Sequence, residues 1–202
     1  MLIRSRSRGD TVIEVLFAIT VFSLIAIGGM TLMNRGAALA QQALEIGLVR
    51  QQIDSQADAL RFLSAAYSND YGNDGEATDL WKEVVENNNA EGGAERFDEI
   101  VSQSTGECNI PSAANGAFAL NIKRLDTDPI LIPTNDTATY AKIRYDGPSP
   151  VAEGIWIQAV RSRTDNDRPG FYDFHIRACW YTPGQARPVT LGTIVRLYEP
   201  RG

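Results

Sequence analysis

Apolar and polar positions alternate along this chain with three different periods. From Val15 to Met33 there is no charged side chain, a run of 19 residues. A helix needs about 20 such residues to cross the ~30 Å hydrocarbon core of a bilayer. From Leu39 the pattern becomes amphipathic. Leu39, Ala43, Ile46, Val49, Ile53, Ala57 and Leu60 recur every three or four positions, and Leu44 and Leu48 widen the stripe. Gln41, Gln42, Glu45, Arg50, Gln51, Asp54, Gln56 and Asp58 occupy the remaining positions. That is the spacing of a helix with one face to cover. No proline interrupts residues 1–109, so the two stretches read as one helix from Thr11 to Ala66. Gly28-Gly29 is its weakest point, since each Gly costs ~1 kcal/mol relative to Ala.

Beyond the helix the pattern breaks. Ser68–Thr78 is rich in Asn, Asp and Gly and reads as a loop. Asp79 is placed to cap a short helix over Leu80–Glu86, and a second short helix is expected over Ala94–Ser102. From residue 117 the period is two. Strands are expected at Ala117–Leu125, Thr139–Tyr145, Ile155–Arg161, Phe171–Tyr181 and Val189–Tyr198. The last three are joined by short turn-rich links and should form an antiparallel meander. In its middle strand Tyr172, Phe174, Ile176, Ala178 and Trp180 share the face expected to pack on the long helix. Asp173, His175, Arg177 and Cys179 share the outer face. The fold class is therefore α+β: a long N-terminal helix, apolar then amphipathic, packed on a C-terminal antiparallel sheet. Its segments are a basic leader (1–9), an apolar helix (10–35), an amphipathic helix (36–66), a variable region (67–116) and the sheet domain (117–202).

Charge adds an orientation. Arg4, Arg6 and Arg8 precede the apolar run, and Arg35 follows it. The positive-inside rule keeps the leader in the cytoplasm and sends the remainder across the membrane. The chain carries 19 basic and 25 acidic residues, a net charge of −6. Without the three leader arginines the balance is 16 against 25, or −9. No nucleic-acid partner is expected from that charge, because such surfaces need clustered Lys and Arg. A secretory signal peptide is a weaker fit: its apolar region is shorter, ~7–15 residues, and it leaves Glu14 unexplained.

The order of residues around Glu14 is more specific. A basic leader ends in Gly9, and Asp10-Thr11-Val12-Ile13-Glu14-Val15-Leu16 then opens the apolar run. This resembles the N-terminal signal of type IV prepilins and pseudopilins. In that family a membrane peptidase cuts after the leader glycine and methylates the new N-terminus. The resemblance, which covers roughly residues 4–33, implies cleavage between Gly9 and Asp10, N-methylation of Asp10, and a role for Glu14 in subunit assembly. It implies a structural subunit and not an enzyme. The family usually begins its mature chain with Phe where this one has Asp10, which hints at a minor subunit of a type IV pilus. The implied partners are other pilin subunits, the prepilin peptidase, the assembly platform of the inner membrane and the lipid bilayer. The implied location is the cytoplasmic membrane, then an extracellular filament. A pseudopilin of a type II secretion or DNA-uptake machine is the alternative within the family. An uncleaved bitopic membrane protein with an external ligand-binding domain is the alternative outside it.

Other candidate chemistry is sparse. The two cysteines, Cys108 and Cys179, read as one disulfide in an exported domain or as two buried thiols; export favours the bridge. His175 is the only histidine, so a histidine metal cluster is excluded by count, and an exposed polar contact is expected of it. Asn69–Glu76 is acidic but misses the spacing of a calcium loop, and Asp126/Asp128 and Asp165/Asn166/Asp167 are equally generic. No phosphate-binding glycine loop is present. No cofactor is expected.

Overall fold

The computed structural model describes residues 10–86, 108–111, 116–125, 130–135, 140–161 and 170–200. The chain divides into two units between Ala43 and Leu44. Helix α1, Asp10–Asn69, contributes its first part to one and its second part to the other. It is already helical at its first described residue, Asp10, and ends three residues after the span that periodicity predicts.

In the first unit every large apolar side chain from Val12 to Met33 is exposed, from 37 % at Val21 to 77 % at Met33. A soluble core helix would bury at least one stripe of these. The three hydroxyls within the apolar run are bound to the helix itself. Thr20 donates to Leu16 O at 2.7 Å, Ser23 to Ile19 O at 2.8 Å and Thr31 to Ile27 O at 2.8 Å. Such bonding to the preceding turn hides a hydroxyl from an apolar environment. The helix runs through Gly28 and Gly29 without a break.

In the second unit α1 buries Val49, Ile53, Ala57, Leu60 and Leu63 along one side. Leu44 and Leu48, expected on the covered stripe, are exposed instead, as is Leu39 in the first unit. Glu45 and Gln56, expected among the polar positions, are buried. Helix α2, Glu76–Glu86, starts three residues before the expected cap at Asp79. The Gly75 carbonyl accepts the first helical bond, from Asp79 N at 3.1 Å, so Gly75 is the cap and Asp79 falls in the first turn. A Cβ at Gly75 would meet the Asp70 carboxylate, which would have to turn aside. The helix expected at 94–102 lies outside the described residues.

The remaining described elements are strands. They are β1 (Ala119–Leu120), β2 (Leu131–Ile132), β3 (Thr134–Asn135), β4 (Lys142–Arg144), β5 (Val151–Glu153), β6 (Ile155–Arg161), β7 (Phe171–Trp180) and β8 (Val189–Tyr198). Strands β6, β7 and β8 form the expected antiparallel meander, with Ile157 opposite Ile176 and Ile176 opposite Thr193. The turn from β7 to β8 is closed by Gln185 N to Thr182 O at 3.1 Å, with Gly184 at φ 80°. Pro183-Gly184 supplies the fixed φ and the positive φ of a type II turn.

The first two expected strands are much shorter than predicted. Ala117–Leu125 reduces to β1 plus a bridge from Phe118 to Ile157, and Thr139–Tyr145 reduces to β4. Three strands fall where loops were expected. β2 pairs with β1, and β3 and β5 join β4 in a small sheet in which β3 and β5 run parallel. Gly154, at φ 65°, lets the chain pass from β5 into β6.

The aromatic face of β7 is covered as expected. Phe174, Ile176, Ala178 and Trp180 form one core with Val49, Ile53, Ala57 and Leu60 of α1. Trp81 of α2 stacks on Tyr67 at 5.8 Å and meets Tyr172 and Phe174 edge-on at 6.3 and 6.0 Å.

Candidate functional site

Two features join sequence chemistry to this fold: the glutamate at the start of the apolar helix, and the polar contacts that seat α1 on the sheet.

Asp10 is the first described residue of α1, and Glu14 lies about one turn later. Gly9, the residue after which the peptidase motif places the cut, is outside the described residues, as is the whole leader. Glu14 is exposed, and no described residue bonds its carboxylate. Phe17, three residues on and on the same side of the helix, is 71 % exposed, and Ile13 and Leu16 elsewhere on that turn are 71 % and 60 % exposed. The site is thus an ionisable group set into an apolar helical surface. Such a group is costly in hydrocarbon unless it meets an opposite charge. By length and composition α1 holds one stretch able to cross a membrane.

The contacts that seat α1 lie wholly within the second unit. Trp180 donates its indole N–H to Glu45 Oε2 at 3.1 Å, and Thr182 donates its hydroxyl to the same oxygen at 2.8 Å. Eleven residues along α1, Gln56 has no exposed surface. Its Nε2 donates to Leu120 O at 2.9 Å, and its Oε1 accepts from Leu120 N at 2.8 Å. The side-chain amide thereby behaves as one residue of a strand paired with β1. Sequence reasoning missed both residues because a polar side chain in a helical pattern is usually solvated. The only signal was their position, at the edges of the buried stripe.

Cys108 and Cys179 are joined, their Cα atoms 5.5 Å apart and 71 residues apart in sequence. Cys179 packs with Ala117 and Trp156 on the outer face of the sheet, and Cys108 and Ile110 lie against them. The structure corrects the expectation for His175. The histidine shares this outer face, yet it is only 4 % exposed. Burial, then the neighbouring Arg177 charge, lowers its pKa from the ordinary 6.5, while Asp173 opposes them. A neutral, buried imidazole is the result.

Arg196 makes a two-armed charge contact on the outer face of the sheet. Its guanidinium donates to both carboxylate oxygens of Asp173, at 2.8 and 2.7 Å, and sits 4.0 Å above the Phe171 ring. The hydrogen bonds to Asp173 raise its pKa further. Among the described residues no group of three or more His, Cys, Asp or Glu side chains is placed to hold a metal. In the Asn69–Glu76 loop Asp70 is engaged by Asn73, whose Nδ2 donates to it at 3.1 Å. The acidic positions 126, 128 and 165–167 lie outside the described residues.

The chain matches no family model, no curated protein and no solved structure.

Proposed function

We propose that this chain is a structural subunit of a type IV pilus, of the minor kind, cleaved after Gly9 and assembled through α1. The observation that carries the reading is the first part of α1. From Val12 to Met33 it buries none of its large apolar side chains within the chain, and they are exposed on every side of the helix. A surface of that kind needs an apolar partner all round. Lipid supplies it before assembly, and neighbouring helices supply it in a filament core.

Glu14 sets the register in this scheme. Its carboxylate pairs with the freed amine of Asp10 on a neighbouring subunit. Opposite charges attract strongly where the dielectric is low. A misplaced subunit leaves both buried without a partner, which costs several kcal/mol. The domain from Leu44 onward then forms the outer layer or tip of the filament.

Intact-mass and N-terminal analysis of the protein extracted from membranes tests the reading. A mature chain beginning at Asp10 is expected, and one that retains Met1 sinks it. The Glu14→Ala variant is expected to be cleaved normally and to enter filaments at least about tenfold less than the parent, given the cost of an unpaired charge. Incorporation at the parent's level would remove the assembly role from Glu14.

A further inference from the structure

Among the described residues strand β8 ends the β6-β7-β8 sheet, and no described strand pairs with its far side. Its ladder with β7 runs ten residues without a bulge, from Phe171 opposite Tyr198 to Trp180 opposite Val189. The bond from Glu199 N to Gly170 O, 2.9 Å, fixes the phase of that ladder. In an antiparallel pair the residues alternate between bonding the neighbour and facing away. Thr190, Gly192, Ile194, Arg196 and Tyr198 therefore direct their N–H and C=O groups to the open side, and all five are exposed. None is proline, so the edge presents an unbroken row of donors and acceptors.

Protein edges of this length are normally blunted by lysine, proline, a bulge or a covering segment. This strand has one charge, Arg196, and that charge is held by Asp173 and laid on Phe171. Ile194 and Tyr198 leave 55 % and 59 % of their surface in solvent beside the open edge.

We propose that β8 pairs antiparallel with β8 of a second copy of this chain, about a two-fold axis at Ile194. The strand is complementary to itself in this register. Thr190 lies opposite Tyr198, Gly192 opposite Arg196, and Ile194 opposite its own counterpart. Every outward donor and acceptor of both strands is then used. Moving the axis to Thr193 brings Pro188, which has no N–H, opposite Tyr198. Moving it to Arg196 sets two like charges face to face, which is unfavourable. At Ile194 each arginine passes over a glycine. That glycine is required within the chain as well, since a Cβ at Gly192 would come 2.9 Å from Ile176 O. On the inner face the same register places half-buried Leu191 opposite Leu197, so each gains apolar cover. The product is one antiparallel sheet of two three-stranded halves. The pairing does not depend on the filament reading, which is judged by cleavage at Gly9.

The full chain in its membrane tests this. Ile194→Cys places two thiols across a hydrogen-bonded pair, whose Cα atoms lie ~5.5 Å apart, within disulfide reach. Thr190→Cys is equally exposed, but its two copies would be eight positions apart, about 27 Å. Mild oxidation is expected to give on the order of ten times more covalent dimer from Ile194→Cys than from Thr190→Cys, given that reach. Ile194→Pro removes an outward N–H without touching the β7 ladder, a place where an edge strand accepts proline. In detergent it should lose the dimer seen for the parent by sedimentation while keeping the parent's melting temperature. Equal cross-linking at both positions indicates unspecific association and overturns the proposal. So does an absence of dimer from Ile194→Cys, or a dimer unaffected by Ile194→Pro.

Discussion

His175 shows how much one covered face changes a residue. Its strand position puts it on the side away from α1, opposite Gln158 and Ile194. On an isolated sheet that side would be wet. Here the imidazole is buried with its pKa lowered, first by desolvation and then by Arg177. The unfolded chain takes up a proton near pH 6.5, and the folded one resists until a lower pH. Stability is therefore complete above about pH 6.5 and falls as pH drops from there toward the folded value. Melting at pH 7.5 and at 5.5 should show this loss, and His175→Gln should shrink it. An unchanged pH difference in that variant would assign the loss to other groups.

Among the elements, α1 is the one whose two parts obey different rules. Its first part offers large apolar side chains on every side and buries none of them within the chain. Its second part is held by a stripe of aliphatic residues and by the paired bonds of Gln56 to Leu120. Removing that amide strands two buried backbone groups, each costing ~1–3 kcal/mol. Gln56→Leu should thus destabilise the domain by about 2–5 kcal/mol, despite being the more apolar residue. In a domain of this size that is a melting point lower by roughly 5–15 °C. Near-ultraviolet circular dichroism of the full chain in detergent follows it through the tryptophans. A neutral or stabilising Gln56→Leu would mean that β1 finds another partner. Periodicity showed the stripe and its direction. It did not show the clamp, because nothing in a polar letter within a helix states which backbone it will meet.

For the molecule as a whole, the bridge between Cys108 and Cys179 closes the longest covalent loop available to it. Loop-closure entropy over that span contributes about 4 kcal/mol. Reduction, or the double change Cys108→Ser and Cys179→Ser, should lower melting by roughly 8–16 °C. It should also expose Trp156, which packs against Cys179, and so shift its fluorescence to the red. Equal melting of the oxidised and reduced chains would show that the non-covalent core alone sets stability.

The division between what is local and what is tertiary runs through the same residues. The sequence by itself determined the long helix, its apolar first part, the three strands of the meander and the face of β7 turned to the core. These follow from period and turn chemistry, which act between near neighbours. Tertiary structure decided the short strands β2, β3 and β5, the curtailed lengths of β1 and β4, and the burial of His175, Glu45 and Gln56. Each of those depends on a group brought from far along the chain: Trp180 lies 135 positions from Glu45, and Leu120 lies 64 from Gln56. No local pattern encodes such a meeting, because a polar side chain reads the same whether water or a distant backbone will satisfy it.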